Sequence, residues 1–249
     1  MSELYKRHNY TDKYNELLIG NEIYEYDIKS AGFNLIKRKK LIPQNKIDKL
    51  ETLPKKLRQI QIGLLIRSDK KLKDDLNNAF IDIRREFFEA NNLSDDHILS
   101  IKKDAIFTFK PCQETIFDNV EFVRKNVYSS FLLIDKKEIY VNKDTLHVKG
   151  ISDDKVELHR KGICDVLHSC LMMLENLNES QMKEFLMDVS EMYKRRELPV
   201  EFYREFNRES CYRYIDDGSV LFETIGDVEM LDIRYNYLNI LITLQNILI

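Results

Sequence analysis

Two aspartates, Asp27 and Asp104, each interrupt an apolar, strand-like run, in EIYEYDI (22–28) and SIKKDAIFTF (100–109). A carboxylate in such a run must cap a turn, meet a counter-ion or hold a cation. If the two strands lie side by side in one sheet, the carboxylates converge and repel, and a divalent cation between them relieves the repulsion. Mg²⁺ is commonly held by one or two carboxylates together with substrate phosphates, and pairs of such ions serve phosphoryl transfer. The plainer alternative pairs Asp27 with Lys29, and Asp104 with Lys102 or Lys103. After Asp27 the small Ser30-Ala31-Gly32 step clears space at the strand tip and offers a turn or a helix entry.

The elements that must position these acids follow from periodicity. Residues 22–28 read as a strand, through Ile23, Tyr24 and Tyr26. From Lys46 to Asn92 the spacing turns helical, with Leu76, Phe80, Ile83 and Phe87 recurring at threes and fours, so two or more helices fill this stretch. HILSIKKDAIFTFK (97–110) predicts a β-hairpin around Asp104. Residues 120–151 predict a three-strand meander, broken at Asp135-Lys136-Lys137 and at Asn142-Lys143-Asp144. Helices follow: one after the capping cluster Ser152-Asp153-Asp154, then a second that Asn178 opens and Pro199 closes. The apolar stretch 228–249 closes the chain, and the layout is α+β.

With 249 residues, 43% hydrophobic and 33% charged, the chain is long and apolar enough for a core and too charged for a membrane protein. No leader-like apolar run opens the sequence, so a cytoplasmic, intracellular protein is expected. A net charge of −3 means that affinity for nucleic acid must come from local basic stretches: Lys37–Lys40, the group Lys55, Lys56, Arg58 and Arg67, and Lys194–Arg196. The four cysteines lack Cys-x-x-Cys spacing and read as small buried hydrophobes. His159 and His168 stand nine residues apart on a helical segment, a spacing that suits structural histidines better than a shared metal. Tyr24, Tyr26, Phe107, Phe109 and Tyr128 could stack on bases, although strand spacing favours the core. No Walker loop, dinucleotide fingerprint or Ser-His-Asp order is present.

The order and surroundings of the two acids resemble the palm of family B DNA polymerases, especially viral and phage members. YEYDIKSAGFNLI is similar to the first palm motif, Asp-x-x-Ser-Leu-Tyr-Pro, with Asp27 and Ser30 in place. SIKKDAIFTF resembles the Asp-Thr-Asp-Ser hairpin motif, with Asp104 at its second acid. KKLRQIQIG resembles the fingers-helix motif Lys-x-x-x-Asn-Ser-x-Tyr-Gly, with Lys55 at the lysine and Gly63 at the glycine. RKNVYSSFLLIDKKEIYVNKDTLHVKGI resembles the strands around Lys-x-Tyr, here Lys125 and Tyr128, and the later Lys149-Gly150-Ile151 turn. The likeness runs from about residue 22 to about residue 205. It departs from the family at Gly32, where the sugar-selecting tyrosine stands; at Lys102, where the first hairpin acid stands and where a lysine would compete with metal for Asp104; and at Gln59-Ile60, in place of Asn-Ser.

The resemblance implies one compact palm-like unit over 1–249, built on an antiparallel sheet with packed helices, a helical fingers-like insertion at 41–95 and a helical C-terminal part at 152–249. It implies a template-dependent nucleotidyltransferase of phage or mobile-element replication. Asp27 and Asp104 would be catalytic and hold two Mg²⁺ ions, with Mn²⁺ as a substitute. Ser30, Lys55 and Arg58 would bind the triphosphate, and Lys125 and Tyr128 the nucleic acid. The implied partners are primer-template, nucleoside triphosphates and a further replication subunit, with no membrane. Two other readings stay open: a polymerase-derived binding or assembly module without chemistry, and a structural protein that oligomerises through residues 228–249.

Overall fold

The computed structural model describes residues 2–15, 17–134, 137–142 and 146–149, together with short pieces between 180 and 222. The chain forms two compact units, Met1–Asp12 with Glu22–Val127, and Lys13–Asn21 with Tyr128–Ile249. The division falls inside two strands, Leu17–Ile28 and Val120–Ile134, and in the segment before the first of them, where composition offers no linker.

The first unit is α+β. Its strands are β1 (Asn9–Thr11), β2 (Leu17–Ile28), β3 (Ile98–Lys102), β4 (Ala105–Thr108), β5 (Ile116–Phe117) and β6 (Val120–Ile134), of which β2 and β6 also supply residues to the second unit. The order is β1-β3-β4-β2-β6, with β5 paired to β6. The pairs β1/β3, β3/β4, β2/β4 and β5/β6 are antiparallel. Between β2 and β3 come α1 (Ala31–Lys39), α2 (Gln44–Glu51), α3 (Lys55–Ser68) and α4 (Lys70–Ala90).

Strand alternation sorts β2 into two faces. Tyr24, Tyr26 and Ile28 join the core that α1 and α4 cover, whereas Ile23, Glu25 and Asp27 take the other face. On β3, a register shift between Ile98 and Ser100 lets both Ile98 and Ile101 reach that same core, three residues apart. Helix α4 begins at Asp69, whose carboxylate accepts the Leu72 N–H at 3.0 Å. It buries Leu76, Phe80, Ile83 and Phe87 on one stripe. The Phe87 ring stacks on Phe122 at 4.2 Å and meets Tyr26 at 5.5 Å, tying helix to sheet.

In the second unit, the later residues of β6 pair antiparallel with β7 (Lys137–Val141), and β7 with β8 (Leu146–Val148). The meander expected from the sequence is present, with Lys137 inside a strand rather than in the break. The helices expected over 152–199 lie outside the described residues, apart from isolated helical positions such as Met187 and Met192, and so does the stretch 228–249. Within the part expected to be helical, 152–249, the described residues also include a short antiparallel pair, β9 (Tyr212–Tyr214) and β10 (Val220–Phe222), whose aromatic and β-branched residues suit a strand. The antiparallel sheet and the helical block at 44–90 agree with the expected fold class, and α1 adds a full helix where only a helix entry was foreseen.

Candidate functional site

Strand β2 lies between β4 and β6, so each neighbour brings a charged residue to its C-terminal end. Asp27 stands opposite Ala105, and the Ile28 N–H donates to the Asp104 carbonyl at 2.9 Å. On the other side the Lys29 N–H donates to the Glu121 carbonyl, also at 2.9 Å. The tip of β2 is therefore fixed between the β3–β4 turn that carries Asp104 and the strand that carries Lys125. The ammonium of Lys125 binds the Asp27 carboxylate directly.

The two acids feel each other. Burial among neighbouring atoms and then the charge of Asp27 push the Asp104 carboxyl above its usual range, against the pull of its own backbone, Lys125 and Lys103. The residue nevertheless keeps a side open to solvent. Lys125 is raised, first by its hydrogen bond to Asp27 and further by the charges of Asp27, Glu25 and Asp104. The pairings of the plainer alternative do not form: Lys29 bridges to Glu121 at 3.0 Å. Lys102, expected to compete for Asp104, donates to the Thr11 hydroxyl on β1 at 3.1 Å, so the cation beside the acids is Lys125.

Asp104 opens into a cavity of about 210 Å³ whose lining includes Ser30, Gly32, Lys55, Arg58 and Lys103. Its floor is the start of α1. Ser30 adopts a left-handed conformation, φ 46°, ahead of the first turn, and its side chain makes no capping hydrogen bond. Residues 30–33 all line the cavity, so an uncapped helix N-terminus faces it, an arrangement that favours anions. Arg58 stacks on the Phe33 ring at 4.5 Å, donates through Nη2 to the Leu53 carbonyl at 3.2 Å, and has a buried Nε with no acceptor. A β-carbon added at Gly32 would meet only the Ile62 side chain, at an ordinary 3.6 Å, so the position tolerates Ala.

The turn carrying Asp104 is held from behind by a residue the sequence reading passed over. Arg84 of α4 is fully buried; its guanidinium donates to the Tyr5 carbonyl at 2.8 Å and to the Lys103 carbonyl at 2.6 Å, and Nη2 stands 3.3 Å from His8 Nδ1. The Lys103 N–H donates back to the His8 carbonyl at 2.7 Å, which secures Lys103 in a left-handed conformation at φ 40°. Burial lowers Arg84 to about 10, with Asp104 opposing, so the cation remains charged at neutral pH. The signal was available: Arg84 occupies an apolar-stripe position, four residues after Phe80 and three before Phe87.

Burial, then Arg84 and Lys103, lower the pKa of His8 below its usual 6.5. The unfolded chain therefore binds a proton that the folded chain refuses. The His8 contribution is complete above about pH 6.5 and is lost as pH falls through and below that value. Urea midpoints are expected to drop from pH 7.5 to 5.5, and the His8→Asn variant to show a smaller drop.

Other predicted residues separate. Tyr128 is buried and packs its ring 5.2 Å from Tyr140; a ring enclosed in the second unit has no face for a base, which corrects its nucleic-acid role. Tyr24, Tyr26 and Phe107 are core as well. Lys37, Arg38 and Lys39 are engaged by Glu51, by Glu86 with Asp118, and by Asp82. Lys56 and Arg67 lie away from the acids, along a second hollow on α3. His159, His168 and most of Lys194–Arg196 lie outside the described residues. Burial raises the Cys112 thiol to about 12, as befits an inert core cysteine, and the other three cysteines lie outside the described residues.

Among the described residues, no group of three or more His, Cys, Asp or Glu side chains is placed to hold a metal, and no helix is long and apolar enough to cross a membrane. The donors at the tip of β2 are two carboxylates, one of them bound by Lys125, and carboxylate oxygens are the ligand type that Mg²⁺ and Mn²⁺ take. No curated protein matches the chain. The model of the family described as Bacteriophage PBS1 gene 130 protein matches residues 1–249. With every residue covered, the chain belongs to the family of the bacteriophage PBS1 gene 130 protein.

Proposed function

We propose that the chain is a template-dependent nucleotidyltransferase whose first unit works as a polymerase palm of the family B type. The observation that carries this reading is the cavity, where Ser30, Lys55, Arg58 and Asp104, residues from distant segments, line one space, with Asp27 on the other face of β2 close enough for its charge to act on Asp104. Those are the positions that the resemblance assigns to triphosphate and metal.

The cavity is smaller than the roughly 300–1,000 Å³ of pockets that enclose a whole drug-sized ligand, and suits a polyphosphate whose sugar and base extend outward. Lys55 and Arg58 neutralise the tail, and the free Arg58 Nε–H supplies a directed donor. Backbone N–H groups at the start of α1 bind phosphate oxygens at no reorganisation cost. Asp27 and Asp104 would hold the divalent cation, which would supply charge neutralisation to the phosphoryl oxygens. Arg84 and His8 keep the Asp104 turn fixed. The primer 3′-hydroxyl, losing its proton to water, attacks the α-phosphorus of the nucleotide, the α–β phosphoanhydride bond breaks and pyrophosphate leaves on the side of Lys55 and Arg58; the missing side chain at Gly32 leaves ribose and deoxyribose both admissible.

The test is incorporation of labelled nucleotide on a primed template with Mg²⁺. Template-directed extension supports the reading, and its absence with every template and both nucleotide sets removes it. Arg58→Ala is expected to raise the KM for nucleotide about 10- to 100-fold, the worth of one or two charge-assisted hydrogen bonds, with a smaller change in kcat. The second reading, a palm-derived assembly module without chemistry, is favoured by the Lys125–Asp27 ion pair, which already neutralises one of the two acids.

A further inference from the structure

Three acids face one ammonium at the tip of β2. Glu25 and Asp27 are two residues apart on the same face of the strand, Asp104 lies on the adjoining turn, and the charges of all three act on Lys125. Glu25 is buried and accepts the Asn126 side-chain N–H at 2.8 Å, so it adds negative potential from a fixed position. Asp27, with its side chain 18% exposed, takes the Lys125 ammonium directly. The lysine side chain, by contrast, is 52% exposed. A flexible four-carbon stem with an open side can swing its head into water with little loss of packing.

We propose that the Lys125 ammonium is a built-in occupant of the cation position between Asp27 and Asp104, and that a divalent ion binds there only by displacing it. This deepens the nucleotidyltransferase reading and rests on its assignment of the cation site. Without the divalent ion, the lysine prevents two carboxylates from facing each other uncompensated. When the ion enters together with a polyphosphate, the ammonium leaves Asp27 and becomes available to a phosphate. Exchange of one cation for another keeps the local charge nearly level, so the acids need not protonate at any stage. Divalent binding to the free protein is consequently weak, and removal of the lysine charge strengthens it.

Mn²⁺ binding, followed by loss of the free-ion electron paramagnetic resonance signal, tests this directly on the full chain. Lys125→Met and Lys125→Gln are each expected to bind Mn²⁺ at least tenfold more tightly than wild type. Asp27→Asn is expected to lose the site, and the gain should vanish in Lys125→Met combined with Asp27→Asn. In wild type, acetylation of Lys125 by an amine-directed reagent, mapped by mass spectrometry, should accelerate at least threefold at saturating Mn²⁺, and this readout needs no variant to fold. Unchanged affinity in both lysine variants, with binding still abolished by Asp27→Asn, overturns the displacement and leaves the nucleotidyltransferase reading standing. Absence of Mn²⁺ binding in every variant overturns both. Nucleotide incorporation by wild type, with Lys125 labelling unaffected by Mn²⁺, sinks the displacement alone.

Discussion

Asp104→Asn is expected to lower nucleotide incorporation about a thousandfold while raising the temperature at which the protein unfolds. The loss follows from the role proposed for the carboxylate: amide oxygen is a neutral, weaker ligand, and removing one preorganised electrostatic group from a reacting centre typically costs about 10²–10³ in rate. The gain in stability follows from linkage. Burial and the charge of Asp27 hold the folded-state pKa of Asp104 above the ordinary aspartate value of 3.8. The folded chain therefore binds the proton more tightly than the unfolded chain. That contribution is fully present below pH 3.8 and disappears as pH rises through the folded-state pKa, so at neutral pH the ionised group works against the fold. Asparagine removes the penalty and keeps the shape. The advantage of the variant should grow from pH 4 to pH 7, as read from thermal melts at a series of pH values. Opposite movement of activity and stability is the mark of a group retained for chemistry. A variant that loses both would make Asp104 structural, and one that retains full activity would remove it from the site.

Arg84→Ala should lower the unfolding free energy by about 3–5 kcal/mol, the range of large core truncations and of buried groups left without partners. The substitution removes the largest fully buried side chain among the described residues and strips the donors from two carbonyls, Tyr5 and Lys103. Part of the loss is the cavity, and part is the desolvated carbonyl oxygens that water cannot reach. Arg84→Lys restores charge and some bulk but cannot serve both carbonyls, and should recover less than half of the loss. The sequence has no tryptophan, so urea unfolding is best followed by far-ultraviolet circular dichroism. A loss below about 1 kcal/mol would mean that the clamp adds little beyond filling space. Because Arg84 fixes the backbone of the Asp104 turn, Arg84→Lys should also reduce incorporation at temperatures where it remains folded.

Both variants bear on how the site is built. The two acids stand at strand ends, Asp104 exposed and Asp27 half-buried, while Arg84, which holds the turn of Asp104, sits on the buried face of α4, where a single unpartnered guanidinium would be costly. The cation is tolerated because three acceptors converge on it: two backbone carbonyls and the lone pair of His8. The left-handed Lys103 adds local strain that this clamp must restrain. Lowering the pH weakens the arrangement at His8, since a protonated ring can no longer accept from Arg84.

Much of the architecture follows from periodicity alone. Alternation in 22–28, the polar break before Asp104 and the threes-and-fours spacing through Phe87 each specify their element, because side-chain period and backbone geometry are the same fact. Residue chemistry likewise marked Asp27, Asp104, Ser30, Lys55 and Arg58 as a set. That Asp104 reaches the cavity of Ser30, Lys55 and Arg58, while Asp27 stands on the other face of β2 near it, depended on the strand order β4-β2-β6, which local sequence does not encode, since pairing joins residues some eighty positions apart. The sequence pointed to Lys29, Lys102 and Lys103 as counter-ions because they are near in the chain, yet Lys29 lies past the end of β2 and bridges to Glu121, Lys102 donates to Thr11 on β1, and Lys125 reaches Asp27 from the neighbouring strand. For Tyr128 strand spacing favoured the core and the resemblance implied nucleic acid, and its burial decided for the core. Local spacing thus determined which residues could do chemistry. Only the packed sheet, with Arg84 and His8 behind it, decided which charges meet.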